Sequence, residues 1–238
     1  KTSPSPQRLG MQEPLMRLSV LRVINIMRIS VYVDGFNFYH GLTENTKYRW
    51  CDLLKLTKQF LPNGEYGKIK LFAAHSKEYY DNLGKPERQN RYLQALKTIP
   101  GFEFIPSKFS QFKKTLPLRD SPKDKPEFVH VRGYKEKGAD VNLASHLISD
   151  GIKNLYDIAV VFTNDSDLVE PIRVVRYDLN KKVYILLTCK NRNAWVSKEL
   201  ITVAKYHKLV EEDHLRVSQL PDVVTRPGKP ALKKPLSW

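Results

Sequence analysis

Between residues 28 and 206, apolar runs with strand character alternate with amphipathic segments of helical spacing, and that alternation constrains the fold most strongly. "RISVYV" (28–33), "KIKLFAAH" (68–75), "FEFIP" (102–106), "EFVHVR" (127–132), "DIAVVFT" (157–163) and "KKVYILL" around 182–188 read as strands. "CDLLKLTKQFL" (51–61), "KPERQNRYLQALKTI" (85–99), "GADVNLASHLISDGI" (138–152), "LVEPIRVVRYDL" (168–179) and "SKELITVAKY" (197–206) read as helices. Pro86 and Pro171 each fall in a first turn, where a missing N–H costs little. Unbroken apolar strands separated by helices belong in a largely parallel sheet, which makes the chain α/β.

The ends differ from this body. Residues 1–27 begin polar and Pro-rich and are expected to be disordered or extraneous, with Met27 a simple natural start just before the first strand. Residues 211–238 form a Pro/Lys-rich tail, in which the four prolines of "PDVVTRPGKPALKKPLSW" (221–238) are expected to prevent packing as a regular element. The folded domain is therefore expected over residues 28–210. The stretch 107–137 also stands apart, with nine Lys/Arg against four Asp/Glu and Phe109, Phe112, Phe128 and Tyr134 interleaved. It suits phosphate attraction and base stacking, and equally a solvated loop with inward-turned aromatics around "LRDSPKDKP".

Net charge is +15, of which residues 1–28 supply +4 and residues 218–238 supply +3, leaving +8 in the body. A basic excess spread in this way attracts polyanions, nucleic acid first among them. Cys51 and Cys189 have no metal-site or disulfide-framework spacing, which fits a reducing, cytoplasmic setting. The most apolar terminal stretch, "LMRLSVLRVINIM" (15–27), is interrupted by Arg17, Arg22 and Asn25 and has no small-residue cleavage site. It reads as neither a membrane span nor a secretory signal, with an organellar transit peptide the remaining alternative.

Chemistry gathers where strands end. Asp34 directly follows "RISVYV", Asp165 and Asp167 follow "DIAVVFT" in "NDSD", and Asp140 opens the helix after "KEKG". The carboxyl ends of parallel strands share one edge, where ligands bind, so these four aspartates are expected to converge. Clustered carboxylates repel unless a cation lies among them, and oxygen-only ligation suits Mg²⁺ or Mn²⁺. Each also has an ordinary structural role open to it. Asp167 with Glu170 resembles a capping box, Asp140 favours a helix first turn, and Asp34 before Gly35 suits a turn.

Three blocks, "VYVDGFNFYHGL", "EKGADVNLASHLISDGI" and "YDIAVVFTNDSDLVEPI", resemble in order and spacing the NYN domains of LabA-like type, within the PIN-like nuclease superfamily. The resemblance covers roughly residues 28–190. It implies a three-layer α/β/α sandwich around a mainly parallel sheet, a divalent-metal acidic site and ribonuclease activity, with single-stranded RNA the expected substrate. Its acidic positions fall on Asp34, Asp140, Asp165 and Asp167, as metal ligands and catalytic residues. Asn37 matches the Asn that positions the first carboxylate. Asp34, Asp165 and Asp167 would hold Mg²⁺ or Mn²⁺, and Asp140 would ligate a second ion or position a water. From their place in the same loop, Asn164 and Ser166 are candidates to hydrogen-bond a phosphate or a ligand carboxylate, or only to shape the turn, and Arg132, Lys135, Lys137 and Arg173 are candidate phosphate contacts. Where many relatives carry a further Asp, this chain has His146, read here as a partly buried structural histidine.

Other phosphate chemistries lack their signatures. There is no GxxxxGK[ST] loop and no GxGxxG after a strand. The haloacid-dehalogenase pattern would need an acid where Phe36 stands, and the histidines have no zinc-site spacing. A regulatory nucleic-acid-binding module without turnover, or a partner-dependent toxin or defence nuclease, remains the alternative; oligomeric state is not legible.

Overall fold

A computed structural model describes residues 26–78, 83–122, 124–189 and 196–238. The expectations for residues 1–25 lie outside the described residues. The core is a seven-stranded sheet in the order β4-β3-β2-β1-β5-β6-β7. Its strands are β1 (Arg28–Asp34), β2 (Glu65–Ala74), β3 (Phe102–Pro117), β4 (Phe128–Lys137), β5 (Ile158–Thr163), β6 (Lys182–Leu187) and β7 (Tyr206–Leu209). All neighbours pair parallel except β3 with β4, which are antiparallel.

The central strands explain the unbroken apolar runs. Every residue of β5 is buried, and so is β1 from Ile29 onward, because helices cover both faces. Side chains alternate between two cores. Ile29, Val31 and Val33 face the layer that includes α2 (Leu53–Phe60) and α3 (Lys85–Leu96), whereas Tyr32 faces α4 (Ala139–Ile152). On that second side also pack α5 (Val169–Arg173) and α6 (Lys198–Ala204). The result is the expected three-layer α/β/α sandwich.

Lys70 stands out within the second core. It occupies β2 between Ile69 and Leu71 and is 5% exposed. Its ammonium lies 2.5 Å from an Asp150 carboxylate oxygen that also accepts a 2.7 Å hydrogen bond from the Tyr32 hydroxyl. His146 brings its Nδ1 to 3.2 Å from the same ammonium, is partly buried, and has its pKa lowered by burial and by Lys70. The buried charge is therefore paired and hydrogen-bonded, the condition for tolerating it.

Local structure departs from the sequence reading at several places. After β1 comes a short helix, α1 (Gly35–Phe38), then a π turn over Tyr39–Thr43. Gly35 is required there, because a Cβ would sit 2.6 Å from the Ala73 Cβ and 2.7 Å from the Phe72 carbonyl oxygen. The helix expected over 168–179 is composite. A 3₁₀ turn (Ser166–Leu168) leads into α5, and a π turn (Val174–Asp178) ends it. The short strand expected at 102–106 runs on to Pro117 and pairs with β4 as a long hairpin, so most of 107–137 is ribbon, and the described residues between Pro117 and Phe128 form turns and loop. The mixture of aromatic and basic residues there belongs to two strands, and each satisfies the other's backbone.

The tail also needs correcting. Residues after 211 contain α7 (Glu212–Val217) and a hairpin of β8 (Val223–Arg226) with β9 (Lys229–Lys233). Pro227 falls in the turn beside Gly228, whose φ is +66°, and Pro230 lies in a two-stranded edge where a donor is dispensable. Trp238 then packs against Trp50 and Tyr92 at 6.2 and 5.8 Å between ring centroids. Among the described residues, no helix is long and apolar enough to cross a membrane, and Cys51 and Cys189 are free and buried.

Candidate metal centre

From β1 the chain crosses to β2 on one side, whereas from β5 it crosses to β6 on the other. The order therefore reverses between neighbouring β1 and β5, and such a reversal opens a crevice at the carboxyl edge. Asp34 ends β1 at that point and is 1% exposed. Its carboxylate caps α1, accepting from the Asn37 backbone N–H at 3.0 Å and from the Asn37 side-chain amide at 2.5 Å. The Thr163 hydroxyl, at the end of β5, donates to the same carboxylate at 3.2 Å.

Asp165 arrives from the loop after β5. The Thr163 hydroxyl oxygen accepts from its backbone N–H at 3.0 Å, so one threonine braces the Asp34 carboxylate and the Asp165 backbone. Asp140 comes from the first turn of α4, entered through Gly138 at φ +90°. Asp34, Asp140 and Asp165 each place one carboxylate oxygen within 4.8 Å of the others. Among the described residues, none of the three forms an ion pair with a lysine or arginine.

Asp167 does not join that group. It is exposed, and its backbone N–H donates to Asp165 at 3.0 Å. The cap of the 3₁₀ turn is therefore Asp165, not Asp167. The Asn164 side-chain oxygen accepts from the Ser197 backbone N–H at 3.3 Å, tying the loop to the start of α6. Ser166 lies in the 3₁₀ turn beside Asp165. Arg132, Lys135 and Lys137 lie along β4, while Arg173 forms an exposed ion pair with Glu170 at 2.6 Å.

Sequence reasoning passed over two residues. Thr163 carried a signal, being a hydroxyl at the end of an otherwise apolar run. Glu136 carried none, because the β3–β4 pairing alone brings it to this edge. It accepts from the Ala74 backbone N–H at 2.6 Å and from the Ser107 hydroxyl, and it contributes to the field at Asp140. Beside it opens a cleft of about 140 Å³ that includes Gly35, Phe36, Tyr39, His40, Phe109 and Trp238 in its walls, with Arg49, Lys85 and Arg88.

Burial and neighbouring carboxylates raise the pKa of both Asp34 and Asp140. Burial pushes the Asp34 carboxyl up to about 6, with Asp140 adding to the rise against the opposing hydrogen bonds of Asn37 and Thr163. The Asp140 carboxyl is raised by burial first, then by Asp165, Glu136 and Asp167.

The NYN domain family model matches residues 28–210. The chain belongs to the NYN domain family. This family lies in the PIN-like nuclease superfamily, whose members generally hydrolyse nucleic acids, and the acidic cluster is compatible with a divalent metal. The NYN chain is also 30% identical over 237 residues to the 6-hydroxy-3-succinoylpyridine 3-monooxygenase of Pseudomonas putida, covering 89% of this chain and 75% of that protein. A crystal structure of a protein of unknown function from Vibrio parahaemolyticus superposes with a TM-score of 0.52 at 18% identity, covering 81% of this chain and 98% of that one. That likeness is one of fold.

The residues fit a hard divalent cation: the donors are all oxygens, one is fully buried, and lone pairs remain on each. A pH dependence follows for the metal-free NYN domain. The Asp34 pKa lies above its ordinary 3.8, so between that value and about 6 the folded protein keeps a proton the unfolded chain has lost. Folding stability therefore falls as pH rises through this window, by about 3 kcal/mol from Asp34. Urea unfolding in chelator should show that loss in the wild type and a flatter profile in Asp34→Asn. Parallel profiles would remove the electrostatic argument.

Proposed function

We propose that this NYN protein is a LabA-like, divalent-metal-dependent ribonuclease that hydrolyses phosphodiester bonds in single-stranded RNA. The observation that carries the reading is the convergence of Asp34, Asp140 and Asp165 from three separate elements at the sheet's switch point, with no cation beside them among the described residues. Mg²⁺ or Mn²⁺ held there would polarise the scissile phosphate and acidify a water. The protein's own part is to hold the carboxylates in place. Asn37 and Thr163 fix Asp34, Thr163 and the Asp167 N–H fix Asp165, and α4 presents Asp140 from its first turn. Asp140, the third carboxylate of the cluster and partly exposed, would complete the ligand set on the side open to the attacking water.

The test is incubation of the purified chain with end-labelled single-stranded RNA, with Mn²⁺ or with chelator. Cleavage with metal and none with chelator is expected. Intact RNA in both would refute the nuclease reading; cleavage restored only by an added partner would identify a partner-dependent nuclease.

A second reading has its own observation. The Pseudomonas putida relative is named for a pyridine bearing a carboxylate-ended side chain, and the cleft here combines aromatic walls with Lys85, Arg88 and Arg49. Binding of such an aromatic acid would quench Trp238 fluorescence, and saturable quenching with no RNA cleavage would favour it over the nuclease reading.

A further inference from the structure

Beyond Ser107, β3 leaves β2 and continues only with β4, so ten residue pairs from Lys108↔Lys137 to Pro117↔Phe128 form a two-stranded arm roughly 33 Å long. Such a ribbon is marginal in water by itself and leaves both faces wet. Directly opposed residues share a face, and faces alternate along the strands. Phe109 and its partner Glu136 line the cleft beside the acidic centre. The face they begin continues outward through Tyr134, the Lys113–Arg132 pair, His130 and Phe128.

We propose that this cleft-side face is the track along which a single-stranded nucleic acid reaches the acidic centre, an inference that rests on the nuclease reading. Lys113 and Arg132 stand directly opposite each other, an arrangement of like charges that costs stability. Among the described residues, neither forms an ion pair, and a phosphate backbone supplies the missing anion. Tyr134 and Phe128 are 36% and 59% exposed on the same face, which provides ring surface for bases on either side of the cations. Lys77, from the loop after β2, holds its ammonium 5.1 Å from the Tyr134 ring and adds a cation at the foot of the track.

The opposite face has its own opposed cations, Lys108 and Lys137, but no exposed aromatic ring beside them among the described residues. Its Phe112 covers Gly133, where a Cβ would meet the ring at 2.4 Å, and Lys114 lies 5.5 Å from the same ring. The ring there serves the hairpin itself. Exposed rings alternating with unpaired cations select single strands, whose bases are free to stack, over duplexes.

Fluorescence anisotropy in chelator separates binding from cleavage, using the full chain and a labelled single-stranded RNA, the matching DNA strand and the RNA duplex. Lys113→Glu/Arg132→Glu should weaken single-strand binding at least about tenfold and reduce the salt slope by about 1.5. Tyr134→Leu should weaken it roughly fivefold or more. Lys108→Glu/Lys114→Glu, the same charge change on the other face, should cost under about threefold. Tighter binding of the RNA or of the DNA strand identifies which is guided. Equal losses from both double variants, no loss from either, or equal binding of duplex would overturn the proposal. Arm-dependent binding with no metal-dependent cleavage by the wild type would refute the nuclease and leave the track. Cleavage undiminished by Lys113→Glu/Arg132→Glu would refute the track and leave the nuclease.

Discussion

Asp165→Asn and Asp34→Asn are each expected to lower metal-dependent RNA cleavage at least ~100-fold, because even residues that merely orient metal ligands cost 10–100-fold when lost. Each change removes one of three converging carboxylate charges while keeping the shape of the side chain. In Asp34→Asn the amide oxygen would still accept from the Asn37 backbone N–H or from the Thr163 hydroxyl, though not both, and the buried charge is gone, so the fold should survive. Thr163→Val is expected to cost about 10–100-fold without touching a ligand, since its hydroxyl braces Asp34 and Asp165 together. Asp167→Asn provides the contrast. Its carboxylate is exposed and outside the cluster, so a loss below about tenfold is expected. Cleavage rates over a Mn²⁺ series for these variants, with circular dichroism melts as a folding control, check the ranking. Comparable losses from Asp165→Asn and Asp167→Asn would show that the ion lies further out than the three-aspartate cluster.

The largest stability effect is expected from Asp150→Ala. That change leaves the Lys70 ammonium inside the α4-side core without its 2.5 Å anion and the Tyr32 link, with only the Glu103 carboxylate at 3.9 Å remaining. Breaking one partner of a buried pair costs about 3–5 kcal/mol, a large share of the total for a domain of this kind. Lys70→Met/Asp150→Leu removes both charges and should recover most of the loss, because well-packed apolar replacements of buried pairs are near neutral. Urea unfolding of the two variants distinguishes a paired charge from an incidental one. If Asp150→Ala unfolds at the wild-type midpoint, the pair contributes nothing. The site in the strand-end crevice should be affected only through stability, since Asp150 lies about three helical turns along α4 from Asp140.

What the sequence disclosed depended on how local its cause was. Buried β1 and β5 were legible because both faces are covered, which writes an unbroken apolar run into the chain. Asp34 and Asp165 were legible because a strand end fixes where the next side chain lies. The choice of Asp165 over Asp167 as the cap was not, because it depends on the Thr163 hydroxyl holding the loop earlier than the spacing to Glu170 suggests. Glu136 and the arm were hidden for a different reason. Pairing across a ten-residue tip places them, and basic strand residues look like loop when read singly. The tail was misread because prolines were weighed by number and not by place. Pro227 sits in a turn, and Trp238 finds a partner in Trp50, remote in sequence.

The central claim is that the switch-point carboxylates hold a divalent ion. Anomalous scattering from a crystal soaked in Mn²⁺ tests it most directly. A peak bonded to carboxylate oxygens of Asp34, Asp140 and Asp165 at about 2.0–2.1 Å is expected, and no such peak in Asp165→Asn. A fully soaked crystal with no density between those residues, or with the ion bound elsewhere on the chain, would contradict it.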